Sequence, residues 1–337
     1  MTPTPRWRKR PPGSNWGDFG PDDQCGRLNL LTPEKVLQGV AEVREGRSFC
    51  LSLPLDLPGG DYHALNRAPP RLRAVQGKKG YVYNYRADPA RTDVWCDDTA
   101  LLSTQRSTQW DALCHVGSAF DAQGGGRAEL VYYNGYRAGT DIPDPDAQTG
   151  AVSARALGIE NMAARSVQGR GVMIDLYPLC GRERVLVGYD ALMRCCDAEG
   201  VVVETGDMVC LHTGLAAALL PLGPDPDRET LENSHAVLDG RDPRLLRWIE
   251  ESGLIVLAAD NFAVEAVPAR ADPAATVAEP LHEHCIFKLG IHLGELWHLS
   301  ELNAWLKAHR RTRFLLTAPP LRLPGAAGSP VTPVATV

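Results

Sequence analysis

The stretch Gln105-Arg106-Ser107-Thr108-Gln109-Trp110-Asp111-Ala112-Leu113-Cys114-His115 gathers polar side chains at spacings that suit chemistry. If the stretch is extended, Gln105, Ser107, Gln109 and Asp111 alternate onto one face. If it is helical, Thr108, Asp111 and His115 share a face. A strand ending near Thr108 and passing into a helix brings Asp111 and His115 together at the helix start. A carboxylate and an imidazole so placed can bind a metal ion or form an acid/base pair. A capping aspartate and a satisfied core histidine have the same spacing, so spacing alone leaves both readings open.

Other chemical signals are weaker. Cys114 adjoins His115, but neighbouring residues point to different faces, so Cys114 reads as a buried structural thiol. Gly124-Gly125-Gly126 lacks the strand–helix context of a phosphate loop and reads as a turn. The sequence has no Gly-x-Ser-x-Gly elbow and so gives no support to serine chemistry. Trp16, Trp110 and Tyr133 can form an aromatic wall for a planar substrate, or can simply pack in the core.

These residues need a scaffold, and the sequence alternates helix and strand signals. Thr32-Pro33-Glu34 gives an N-cap, a proline at the first helical position and an early acid. Val36, Leu37, Val40 and Val43 follow at helical spacing, and Gly46 is the expected stop. Further helices are expected over 158–168, 189–199 and 243–252. A fifth is expected over 300–309, with Ser300 as N-cap. Strands are expected over 48–57, 171–177, 207–212, 254–259, 287–291 and 313–317. The pattern predicts a mixed α/β protein, with a separate β layer possible before residue 110. Segments 58–72, 138–150 and 221–242 read as loops. A mobile tail over 1–14 and one domain over 15–337 are expected.

Composition sets the outer bounds. The chain has 337 residues, 44% hydrophobic and 23% charged, which is ordinary globular usage. A net charge of −6 argues against a nucleic-acid partner. No apolar run approaches the about 20 residues that a membrane span needs. The basic start Arg6–Arg10 leads into Pro-Pro-Gly, not an apolar signal core, so a cytoplasmic protein is expected. Nine scattered cysteines without a Cys-x-x-Cys pair fit free thiols in a reducing compartment.

The central segment resembles the signature of the cyclase family, which includes bacterial kynurenine formamidase and isatin hydrolase. That signature runs His-x-Gly-Thr-His-x-Asp-Ala-Pro-x-His. Thr108, Asp111, Ala112 and His115 fall on matching positions. Gln105 and Gln109 fall on its first two histidines, Ser107 on its glycine and Leu113 on its proline. The resemblance extends to Asn15-Trp16-Gly17, Gly20-Pro21-Asp22-Asp23-Gln24 and Tyr133-Asn134-Gly135. It continues through Gly169-Arg170-Gly171-Val172, His212-Thr213-Gly214, Ala259-Asp260-Asn261, Pro280-Leu281-His282 and Gly290 to Trp297.

The resemblance implies a swivelling β/β/α fold built on a mixed sheet. It also implies a divalent metal held by positions 105, 109 and 111, completed by His282 and Glu295, with His284 as the alternative to His282. His115 is implied as general acid/base, and Trp16, Trp110, Tyr133 and Asn134 as substrate contacts. His63, His235, His298 and His309 are expected to serve packing or the surface. Glutamine offers only a neutral carbonyl oxygen where the family has imidazole, so Mn²⁺ or Mg²⁺ should suit the site better than Zn²⁺. The expected function is metal-dependent hydrolysis of an amide, formamide or cyclic-amide C–N bond in a small molecule. The alternative is a metal-independent cyclase or lyase acting on a carbonyl-rich molecule. A homodimer or homotetramer is expected, with no nucleic-acid or membrane partner.

Overall fold

The computed structural model describes residues 5–58, 67–223 and 233–337. Among them, nine strands make one mixed sheet. They are β1 (Ser48–Cys50), β2 (Gln109–Asp111), β3 (Gln168–Asp175), β4 (Met208–His212), β5 (Val256–Ala259), β6 (His292–Glu295), β7 (Arg313–Thr317), β8 (Gly328–Pro330) and β9 (Val334–Thr336). Their order across the sheet is β1-β9-β7-β3-β4-β5-β6-β2-β8. The central four, β3 to β6, run parallel, and every other pairing is antiparallel. Strands β4, β5 and β6 are buried along their whole length. This is why β4 and β5 read as continuous apolar runs rather than alternating ones.

The parallel strands share one carboxyl edge, where Asp175, His212 and Glu295 end β3, β4 and β6, and Asp260 follows β5. Side chains that leave a parallel sheet at this edge face the crevice where such folds place their sites.

Five longer helices flank the sheet: α1 (Pro33–Val40), α2 (Ile159–Ala164), α3 (Tyr189–Glu199), α4 (Pro243–Ser252) and α5 (Ser300–Ala308), with α3 and α4 in the crossovers from β3 to β4 and from β4 to β5. Helices α3 and α4 have the expected bounds, because Gly200 and Gly253 take the left-handed conformation that ends them. Thr32 caps α1 through its hydroxyl, as predicted. Two details of α1 differ from expectation. It ends at Val40 rather than near Gly46, and its apolar stripe faces outward, with Leu37 and Val40 exposed.

The buried face of α1 is instead Lys35 and Gly39. Lys35 donates to the buried Asp207 carboxylate at 3.0 Å, which also takes the Arg170 guanidinium at 2.8 and 2.9 Å. Gly39 lets the helix lie directly on β3, since a Cβ there would sit 2.6 Å from the carbonyl carbon of Gly169. Gly39→Ala should therefore cost about 1–3 kcal/mol through overpacking, read as a lower urea midpoint with an unchanged slope.

Other expectations need correction. Helix α2 stops at Ala164, and β3 begins at Gln168, inside the expected helix. Residues 283–288 form a π-helical segment, so the strand expected over 287–291 starts only at His292. The strand expected over 48–57 is paired only over Ser48–Cys50, with a single further bridge from Ser52 to Trp297. A strand over 236–238 lies inside the expected loop 221–242. The β-rich start is present as two small antiparallel ladders, 71–74 with 98–101 and 76–77 with 80–81, outside the main sheet.

The expected mobile tail is docked from residue 5 onward. Trp7 packs 6.3 Å from Trp16 and donates to Asn134 Oδ1, Arg10 pairs with Asp18, and the amides of Arg8 and Lys9 donate to Ala122 O. His63 and parts of the loops 58–72 and 221–242 lie outside the described residues. No described helix is long and apolar enough to cross a membrane.

Candidate metal centre

Strand β2 places Gln109 and Asp111 on one side of the sheet and Trp110 on the other, as alternation requires. Trp110 packs edge-on to Trp297 at 4.8 Å. No helix follows β2. A tight turn, closed by His115 N donating to Ala112 O at 2.9 Å, swings His115 back over Asp111. The expected strand-to-helix passage is thus a strand-to-turn passage with the same outcome. His115 Nε2 lies 3.7 Å from Asp111 Oδ1, too far for a hydrogen bond and close enough to share a reacting group.

Three ligand-type side chains converge here: Asp111, His282 and Glu295 present atoms within 4.8 Å of one another, and all three are buried. Glu295 arrives from β6, the strand that pairs with β2 in a register that sets Glu295 opposite Gln109. His282 arrives from the one-turn helix Pro280–His282. His284 does not join them; burial, then the charges of Lys288 and Arg27, push its pKa down to about 4. His282 is therefore the histidine of the cluster.

Polar satisfaction in the cluster is uneven. Gln109 Nε2 donates to Glu295 Oε2 at 3.1 Å, and His282 Nε2 lies 3.4 Å from Glu295 Oε1. Both Asp111 carboxylate oxygens and Gln109 Oε1 are buried without a hydrogen-bond partner. A buried bare carboxylate is costly unless something neutralises it. The strain shows in the titration: burial, then the Glu295 charge, hold the Asp111 carboxyl well above its usual range. Two carboxylates, an imidazole and an amide oxygen make a donor set that fits a divalent cation on the harder side of the first transition row.

Gln105 contributes less than the resemblance implies. It stands beside the cluster with its amide nitrogen against Gly328, the strand partner of Asp111, but its oxygen accepts from Thr104 Oγ1 at 2.8 Å. Burial, then the charges of His282 and Arg67, push the His115 pKa down to about 4, so its imidazole is neutral near neutral pH.

The four residues expected as substrate contacts are all held in the interior. Trp16, Trp110, Tyr133 and Asn134 are fully buried. Trp16 donates to Phe287 O, Trp110 to Ala318 O and Tyr133 to Asp23, while the Asn134 amide spans Gly17, Gly20, Pro21 and Asp23. Through these bonds they brace the amino-terminal segment and the sheet. A cavity of about 540 Å³ does open beside Gln105, lined by Cys114, Ile142, Pro143, Val152 and Leu323 among others. Cys114 is buried, with its thiol pushed up to about 12, as a structural cysteine should be.

Three residues near the centre were not singled out from sequence. Glu265 accepts His282 Nδ1 at 2.8 Å and the amides of Leu281 and His282 at 3.0 and 2.8 Å. This fixes the His282 ring with Nε2 turned to the cluster. His292 Nδ1 donates to Asp111 O at 2.7 Å and ties β6 to β2. Arg67 donates to Gln105 O and sets a positive charge near Asp111, His115 and Glu295. An acid seventeen residues upstream of a candidate ligand carries no periodic signal, so only the folded chain reveals Glu265.

A sequence model of the family described as "Putative cyclase" matches residues 51–266. A crystal structure of a novel cyclase superposes with a TM-score of 0.78 at 30% identity, covering 98% of this chain and 100% of that one. The chain belongs to the cyclase family. Isatin hydrolase A from Ralstonia solanacearum shares the fold at a TM-score of 0.55 and 15% identity, covering 86% of this chain and 91% of its own. An isatin hydrolase bound to the product analogue thioisatinate does so at 0.56 and 14%, covering 91% and 99%. No curated protein matches the sequence. As a cyclase-family chain, it has its signature segment on β2 and the turn that follows, where Asp111 and His115 meet.

Proposed function

We propose that this protein is a metal-dependent hydrolase of an amide, formamide or cyclic-amide C–N bond in a small molecule. The observation that carries this reading is the buried Asp111–His282–Glu295 cluster, with both Asp111 oxygens unpartnered, directly under His115. Asp111, His282 and Glu295 would hold the ion, with Gln109 Oε1 as a further oxygen donor. A divalent cation supplies Lewis-acid polarisation of a carbonyl and acidification of water. Mn²⁺ suits this oxygen-rich donor set best, with Zn²⁺ and Mg²⁺ as the softer and harder alternatives.

His115 does the proton work. Its neutral Nε2 can accept a proton from attacking water and return it to the leaving nitrogen. Arg67 places positive charge where the carbonyl oxygen becomes negative. The fold shared with isatin hydrolases supports a cyclic amide as one substrate class, since isatin is a cyclic amide. The cavity beside Gln105 would take an apolar substrate body.

His115→Gln is expected to lower kcat about 10²–10⁴-fold on a panel of N-formyl arylamines and cyclic imides while the bound ion stays. A panel that is untouched by wild-type protein loaded with Mn²⁺ or Zn²⁺ would sink the C–N hydrolase reading.

One observation favours a second reading. His282 lies between Glu265 and Glu295, and hydrogen bonds to both hold its pKa well above the usual imidazole value against the cost of burial. An imidazolium there balances charge without an ion, as a metal-independent cyclase or lyase with His115 as base would need.

A further inference from the structure

A second group of reactive side chains stands along the same sheet edge, two strands from Glu295. His212 ends β4, and its Nδ1 lies 2.7 Å from Asp175 Oδ1 at the end of β3. Its Nε2 lies 2.9 Å from Ser300 Oγ, on the first turn of α5. We propose that Ser300, His212 and Asp175 form a nucleophilic centre, separate from the metal cluster, that cleaves small carboxylic esters.

Order and geometry carry the proposal. An Asp–His–Ser relay with both contacts at hydrogen-bond length leaves Nε2 ready to take the hydroxyl proton. Asp175 is buried and further fixed by Lys307 Nζ at 2.6 Å, so it stays ionised; the hydrogen bonds from His212 and Lys307 outweigh burial and hold its carboxyl well below the usual range. Asn303 adds a further side-chain hydrogen bond to the Asp175 carboxylate. The turn after His212 is pinned by Asp260, which accepts from Thr213 N, Thr213 Oγ1 and Gly214 N at 2.6, 2.7 and 2.8 Å.

A relay that only braced the fold would have no need of open space. This one faces a cavity of about 310 Å³, lined by Ser300, His212, Tyr177, Arg182, Ala217 and His235 among others. That space suits a short acyl group against Tyr177 and Ala217, with Arg182 at the exposed side for an anionic end. Ser300 was expected as an N-cap, but Leu299 occupies that position and the Ser300 hydroxyl caps nothing.

The chemistry balances without a cofactor. Ser300 Oγ bonds to the ester carbonyl carbon as its proton passes to His212 Nε2. The bond to the alcohol oxygen breaks, and the alcohol leaves with that proton. Water then attacks acyl-Ser300 by the same route, releasing the acid. No Gly-x-Ser-x-Gly elbow marks this serine, which sits in the first turn of α5 rather than on a strand-to-helix turn.

The test uses the full chain. An alkyl fluorophosphonate should add one label per molecule, on the peptide that contains Ser300, and equally after EDTA treatment. Hydrolysis of p-nitrophenyl acetate should fall at least 100-fold in Ser300→Ala, with circular dichroism unchanged. Absence of label on wild-type protein, label on another residue, label lost with EDTA, or full esterase activity in Ser300→Ala would each overturn the proposal.

Discussion

Asp111→Ala should abolish stoichiometric binding of a divalent ion and lower hydrolytic turnover by roughly 10³-fold or more. Loss of a metal's several kcal/mol of transition-state stabilisation sets that magnitude, at about 1.4 kcal/mol per factor of ten. Asp111 stands in the cluster with both its oxygens buried and unpartnered, within 4.8 Å of the ligand atoms of His282 and Glu295. The stability effect should reverse sign with metal. In metal-free protein, Asp111→Asn removes a buried charge held against Glu295, so its thermal midpoint should match or exceed wild type. With ion at 100 times its dissociation constant, wild type should gain about 2.7 kcal/mol and the variant little. Thermal scans at several Mn²⁺ concentrations check both halves. A variant that binds the ion as wild type does would remove Asp111 from the site.

Glu265→Gln should weaken the ion about 10–100-fold, although Glu265 does not itself join the cluster. Its carboxylate takes three donors, His282 Nδ1 and the amides of Leu281 and His282. An amide in its place turns a donor toward a donor, so the His282 ring loses its anchor and Nε2 its aim. The unpaired buried group should also cost about 1–3 kcal/mol in urea unfolding. Gly240→Ala offers an independent route to the same fault, since a Cβ there would sit 2.3 Å from Glu265 Oε2 and 2.9 Å from Leu281 N. Both variants should raise the ion's dissociation constant together. Unchanged affinity in both would mean that His282 is positioned by something else.

The site was legible in sequence where chemistry lies in short motifs. Asp111 and His115 share one segment, and their meeting needed only a strand and a turn. Glu295 and His282 came from the resemblance, and the structure brings both to Asp111. What stayed hidden depended on distant register. Glu265 and His292 act through hydrogen bonds across elements, which no local pattern encodes. The aromatic residues were ambiguous because tryptophan and tyrosine serve core and substrate equally; Trp16, Trp110 and Tyr133 lie buried in the core. Helices α3 and α4 were readable because glycine ends them in a left-handed turn. Helix α1 was misread on its buried face, because a glycine allowed close approach and a lysine was paid for by Asp207. The strand expected over 287–291 overlaps the end of the π-helical segment 283–288, because a short buried apolar run reads alike in either backbone.

The most direct test is elemental analysis of the purified full-length protein, paired with turnover before and after exhaustive chelation. The account predicts about one divalent ion per chain, loss of C–N hydrolysis with its removal, and recovery on adding Mn²⁺ or Zn²⁺. Protein that is metal-free as purified, and equally active after chelation, would contradict it and favour the metal-independent reading.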